Sequence, residues 1–314
     1  MPVSEDLARR FLHVNLNCKS LDATEGLYTK QLGLSARMRT DPEAASDGSI
    51  LGLEGETYAA TSFLYDARGG RNACAVEAIE WTAPALKLDQ NTDPVRPGIR
   101  SALFTVSDLG GYVTALREAG FRVSDPVGGL ISGSKSVLVM DPDGAVIELT
   151  EAPSELAGAL FSGIRISAID ARATVNFLTA IGFEEVEAPT KVRVTGDQLT
   201  PGGAGHEAEC VAARLALPED RDQFTVSVVQ HPGTGKHPLP EGGNSQGLYR
   251  CALRVESVEK ALSLVPEWVE RHGDPVWCPL PGTPIEGLYV AFLRSPDGVV
   301  FEFVERPLKH FTRL

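Results

Sequence analysis

Apolar and polar residues alternate along much of this chain, and short helical stretches interrupt the alternation at regular intervals. Residues 11–18 alternate as a strand does, with side chains passing to opposite faces. Residues 20–33 follow as a helix: Leu27, Tyr28 and Leu32 have helical spacing, and Gly33 closes it as a C-cap. Three strand-like stretches, 49–53, 57–65 and 73–81, complete a β-α-β-β-β unit. After a polar, proline-bearing linker over 82–97 the pattern restarts. A strand over 99–106 leads to a helix over 108–119 that ends at Gly120, and strands continue to Glu151. A boundary is expected over 152–159. Beyond it come a strand over 163–169 and a helix over 172–180 closed by Gly182, then a strand over 248–255 and a helix over 258–271.

The halves echo each other. Asp141-Pro142-Asp143-Gly144 running into Val146-Ile-Glu148-Leu149 returns as Ser295-Pro296-Asp297-Gly298 running into Val300-Phe-Glu302-Phe303. Gly144 and Gly298 supply the positive φ of a tight turn, and Pro142 and Pro296 preset its entry. Gly33 matches Gly182 and Phe104 matches Leu253, each 149 residues on, while Glu148 matches Glu302 at 154. The difference places about five inserted residues around 279–287. An internal duplication of paired units therefore predicts an α+β protein of four βαβββ modules. It divides into an N-terminal domain over 1–153 and a C-terminal domain over 154–314.

Composition narrows the classes. At 314 residues and 43% hydrophobic content the chain can bury a core without staples, and a net charge of −13 argues against a polyanionic partner. No nucleic acid and no membrane are expected, since no run approaches the roughly 18 apolar residues of a spanning helix. The five cysteines are scattered with no Cys-x-x-Cys pair, so reduced thiols and a cytoplasmic setting are expected.

The sequence resembles the vicinal oxygen chelate superfamily, which includes glyoxalase I, extradiol dioxygenases, methylmalonyl-CoA epimerase and bleomycin-binding proteins. The likeness rests on Phe11-Leu-His-Val-Asn-Leu16 with Leu27-Tyr-Thr-Lys-Gln-Leu-Gly33, on Phe104-Thr-Val-Ser-Asp-Leu109, and on the two Pro-Asp-Gly-x-x-x-Glu strands. It implies paired modules whose curved mixed sheets form cups, with metal ligands on the first and last strands of each module. Transferred to this chain, those positions are His13 and Glu77 in module one, and Ser101 and Glu148 in module two. In module three they are Ser162 and Ser227, and in module four Arg250 and Glu302. Modules one and two can share a cup, or modules one and four. Either choice joins His13 and Glu77 to one further glutamate, Glu148 or Glu302, and leaves the other cup without its ligands.

The resemblance thus implies one divalent metal ion (Zn, Mn, Ni, Co or Mg) on His13, Glu77 and Glu148 or Glu302. Glu77 or Glu148 would move a proton, and Ser101 and Arg250 would contact a small-molecule substrate. A metal-dependent lyase or isomerase working through an enolate is the first functional expectation. An Fe(II) ring-cleaving dioxygenase is the second, although its usual second histidine is replaced by Ser101 or Arg250, so a loop histidine such as His231 would have to serve. A metal-free binding protein is the third. The competing structural readings are a hydrogen-bonded histidine at position 13 and a salt bridge from Arg250 to Glu302. Glu80 and Glu151 read as solvated strand ends, and His206, His231, His237 and His272 as surface loop residues. A monomer or homodimer is expected, because the duplication already supplies a two-fold arrangement.

Overall fold

The computed structural model describes residues 4–40, 42–51, 53–89, 91–204, 207–221, 223–279 and 286–308. Module one comprises β1 (Arg10–Cys18), α1 (Leu21–Tyr28), β2 (Ser35–Arg39), β3 (Ser46–Asp47), β4 (Glu56–Tyr65) and β5 (Ala75–Ala83). Module two comprises β6 (Gly98–Val106), α2 (Leu109–Glu118), β7 (Val127–Gly128), β8 (Lys135–Met140) and β9 (Val146–Glu151). Module three comprises β10 (Leu160–Ser167), α3 (Ala171–Ile181), β11 (Glu184–Val194), β12 (Ala208–Ala216) and β13 (Thr225–Gln230). Module four comprises β14 (Gly247–Val255), α4 (Val258–Leu264), β15 (Glu270–Arg271), β16 (Val276–Pro279), β17 (Gly287–Arg294) and β18 (Val300–Glu305).

The sheets do not follow the halves. One runs β15-β17-β18-β14-β1-β5-β4-β2 and joins modules four and one; the other runs β11-β12-β13-β10-β6-β9-β8-β7 and joins modules three and two. The loop at 152–159 is present, but a cut at 153/154 would part β1 from β14, which pair antiparallel from Arg10↔Arg254 to Asn17↔Gly247. The two tandem domains expected from the duplication are therefore interleaved, and modules one and four share the first cup.

Local departures have local causes. Residues 48–51 form a 3-10 turn instead of a strand, and β2, absent from the expected elements, has all five residues exposed, so its short alternation of Ala36 and Met38 with polar neighbours marks no buried face. The helix expected over 258–271 stops at Leu264, where Val265 turns extended (ψ 124°) ahead of Pro266, which has no N–H to continue it.

Two repeated contacts fix each module. The first helical N–H is accepted by a side chain at one equivalent position on the module's last strand: Leu21 by Glu80 (2.6 Å), Leu109 by Glu151 (3.0 Å), Ala171 by Gln230 (2.9 Å) and Val258 by Glu305 (2.9 Å). Glu80 and Glu151 are thus not merely solvated strand ends. They satisfy an orphan donor and place negative charge at a helix N-terminus. The Pro-Asp-Gly hairpins do a second job, because their aspartates reach back to the preceding module. Asp143 accepts from the Lys19 N–H (3.0 Å), and Asp297 accepts from the Ile169 N–H (2.7 Å) and from the Thr174 hydroxyl.

One continuous core joins both sheets. Phe104 and Phe161 stack at 4.8 Å across the β6–β10 pair, and Phe11 of β1 packs on Phe183 and Phe224 of module three. Acids are caught in this packing. Burial pushes Asp141 and Asp220 up to about 7 and Asp297 up to about 6, against the backbone and hydroxyl donors that oppose the shift. A raised carboxylate holds its proton more tightly in the native state, so its stabilising effect is complete below the ordinary 3.8 and is lost as pH rises through about 6–7. Thermal unfolding should therefore show a higher midpoint at pH 6 than at pH 8. A flat profile, or a lower midpoint at pH 6, would contradict the buried placement of these acids.

Candidate active site

The parallel pairing of first and last strands fixes which residues are equivalent. Glu77 lies opposite Asn15, Glu302 opposite Ala252, Glu148 opposite Leu103 and Ser227 opposite Arg165. Two residues earlier on each first strand stand His13, Arg250, Ser101 and Gly163. In module three the equivalent position is thus Gly163 and not Ser162, whose hydroxyl bonds to the Leu160 carbonyl (3.0 Å).

In the first cup β1, β5, β14 and β18 are adjacent strands, and four of these side chains converge. His13 Nε2 is 3.4 Å from Glu77 Oε2 and 3.8 Å from Glu302 Oε2. Arg250 Nη2 donates to the same Glu77 oxygen at 3.0 Å, and Arg250 Nε is 3.2 Å from the same Glu302 oxygen. Glu77, Glu302 and Arg250 are all buried. Phe63 stands edge-on to the His13 ring at 5.3 Å, and the Arg250 guanidinium lies 5.9 Å from the centre of the Phe292 ring. An apolar cluster that includes Tyr249, Leu288, Val290, Val300 and Val304 forms the adjoining wall.

Burial sets the charges. It pushes His13 below its ordinary value against the pull of Glu77, and Arg250 pushes the same way, so the imidazole is neutral at pH 7 and its contact with Glu77 is not an ion pair. Burial pushes Glu302 up to about 7, opposed by Arg250 and reinforced by Glu77. For Arg250, burial works against the charge, but Glu302 and Glu77 outweigh it and hold the guanidinium above its ordinary value. Within this knot, His13 Nε2, Arg250 Nε and Glu302 Oε2 are buried with no hydrogen-bond partner.

The family model for the Glyoxalase/Bleomycin resistance protein/Dioxygenase superfamily matches residues 10–149. Those residues belong to that superfamily. Among solved structures, glyoxalase I from Zea mays is similar at 18% identity and a TM-score of 0.66, covering 97% of this chain and 94% of its own. A point mutant of the same maize enzyme gives 0.67 at the same identity. A Bacillus subtilis protein provisionally described as a dioxygenase is similar at 12% identity and a TM-score of 0.63, covering 98% of this chain and 88% of its own. At these identities the likeness is one of fold. No curated protein matches the sequence.

Against the ligand set that the superfamily resemblance implies, the residues divide. Glu148 is in the other sheet, where its carboxylate accepts from the N–H groups of Ile131 (3.0 Å) and Ser132 (2.8 Å) and from the Ser136 hydroxyl (3.3 Å). A Cβ on Gly129 would collide with Glu148 Oε1, so the loop rests directly on this acid. Glu148 is an anchor for that loop and neither a ligand nor a base beside His13. Ser101 is also in the second cup, and its hydroxyl accepts from Arg165 Nε at 3.2 Å. Loop carbonyls of Pro94 and Val95 close over Arg165 and Ser167.

His13, Glu77 and Glu302 do meet, but their arrangement does not suit a divalent ion. The carboxylate oxygens nearest His13 Nε2 are those already facing the guanidinium, and Arg250 brings a fixed positive charge to the position a fourth ligand would take. No group of three or more His, Cys, Asp or Glu side chains that could hold a metal ion occurs among the described residues. Among the described residues, neither His231 nor His237 joins His13 in the first cup. His231 follows β13 in the second sheet and bonds the Gly233 N–H, and His237 contacts Asp93 at 3.1 Å; His206 lies outside the described residues.

Arg165 is the residue the sequence reading missed. A lone arginine in the apolar run Gly163-Ile-Arg-Ile166 carries the same signal as Arg250 in its own strand, and both are buried.

Proposed function

We propose that the first cup binds a small oxygenated molecule and moves a proton on it, as a lyase or isomerase, with Glu302 as the acid–base group. The carrying observation is a buried, charged cluster in which His13 Nε2, Arg250 Nε and Glu302 Oε2 make no hydrogen bond, although Arg250 Nε and Glu302 Oε2 form an ion pair at 3.2 Å. A ligand oxygen that gave these atoms hydrogen bonds would relieve part of their desolvation. A carboxyl poised at about 7 can take or give a proton at neutral pH. On a substrate with a C–H beside a carbonyl, Glu302 would take the proton while the bonding electrons move onto the carbonyl oxygen. The positive charge of Arg250 and a donor N–H would favour that developing oxyanion, and the proton would return to the same carbon or its neighbour. Neutral His13 offers a hydrogen bond that orients the substrate. The apolar wall would exclude water and strengthen each of these interactions.

The test is solvent-deuterium incorporation, followed by NMR, into a panel of small α-hydroxycarbonyl compounds. Wild type should label at least one of them, and Glu302→Gln should reduce the rate by about 10²–10⁴-fold. Retained labelling in Glu302→Gln would overturn the assignment of the base. Saturable binding of these compounds without any labelling would make the cup a binding module and not an enzyme.

A further inference from the structure

The geometry points to a second binding site, for a small organic carboxylate, in a cleft of about 200 Å³ between the linker after β5 and the loop before β14. The cleft is lined by Lys87, Asp89, Arg96 and Arg100 on one side and by Glu241 and Gln246 on the other. None of His13, Glu77, Arg250 or Glu302 lines it, although Tyr249 belongs both to this cleft and to the wall of the first cup.

Arg100 carries the argument. Its Nε donates to the carbonyls of Arg96 (3.1 Å) and Pro97 (3.2 Å), and its Nη2 to Pro97, so backbone oxygens hold the guanidinium in place. No carboxylate pairs with it among the described residues. Burial, and then Arg96 and Arg165, work against its charge. A guanidinium at this depth does not shed its proton, so the missing counter-charge leaves a positive centre facing the cleft. Arg96 is already paired with Asp89. Lys87 forms no ion pair among the described residues, and its Nζ lies where a Cβ on Gly242 would approach it. Three cations against two carboxylates give this cleft a net positive charge in a protein whose net charge is −13.

Asn91 and Ser245 add polar groups, and the rest of the lining is apolar. Leu88, Leu239, Leu248 and Tyr249, with Pro238 and Pro240, suit a short hydrocarbon body behind one anionic head. A planar carboxylate matches the guanidinium fork, and its apolar tail would cover those walls. A bare inorganic anion would leave them wet.

The experiment is calorimetric titration of the full chain with hexanoate, hexanol and inorganic phosphate at low and moderate salt. Hexanoate should bind saturably, and more tightly than either hexanol or phosphate. Arg100→Met should weaken it by at least ~10-fold, the scale of one lost charge-assisted hydrogen bond. Should Arg100→Met fail to fold, Lys87→Ala tests the same field from the exposed rim and should weaken hexanoate while leaving hexanol unchanged. Hexanoate binding that neither substitution alters, or no hexanoate binding by wild type, would overturn the site. Phosphate binding more tightly than hexanoate would overturn the carboxylate assignment.

Discussion

Arg250→Met should cost about 3–5 kcal/mol of stability at pH 8, the range for removing one partner of a buried ion pair, and clearly less at pH 6. Arg250 is 3% exposed and faces Glu77 and Glu302, themselves 5% and 6% exposed. Without it, two carboxylates face each other in an apolar cup. With Glu302 already pushed up to about 7, acidification supplies a proton where the guanidinium was, which relieves the repulsion. Urea unfolding of both proteins at the two pH values gives the difference. A loss that does not change between pH 6 and pH 8 would mean that the carboxylates are not the groups Arg250 compensates.

Arg250→His should turn the cup into a divalent-metal site. The substitution removes the fixed charge and puts an imidazole beside His13, Glu77 and Glu302, a nitrogen and carboxylate set suited to Zn, Co or Ni. Binding of at least one of these ions should tighten by ~100-fold or more over wild type, about 2.8 kcal/mol. The ion should also raise the unfolding midpoint of the variant, since a ligand of the native state stabilises it by mass action. Adding His13→Ala to the variant should abolish both effects. A variant that binds these ions no better than wild type would show that Arg250 does not occupy the cation position.

Much of the scaffold was legible because it is written in local pattern. Strand alternation, the helix-closing glycine Gly182 and the two Pro-Asp-Gly hairpins are properties of neighbouring residues, and they announced four similar modules, whereas the first helix closes at Thr29 and not at Gly33. The interleaving was not legible, since it depends on which edge strand β1 meets, and β6 and β14 both look like suitable partners. Once that pairing is known, Glu302 replaces Glu148 beside His13, and Arg250 becomes the fourth member of the cup. The capping acids were misread for a related reason. Glu80 and Glu151 stand at strand ends in sequence, and only the path of the chain brings helix N-termini against them. Glu148 shows the limit most plainly: it shares its motif with Glu302, yet a loop folded onto it consumes its hydrogen-bonding capacity.

The Arg250 guanidinium stands where the superfamily resemblance implies a metal ion. The most direct test is elemental analysis of wild-type protein purified without added metal or chelator, followed by titration with Zn, Co and Ni. Wild type should carry far less than one equivalent of any divalent ion as purified, and should show no saturable binding that His13→Ala removes. One equivalent per chain, lost in His13→Ala and in Glu302→Gln, would contradict that placement of Arg250.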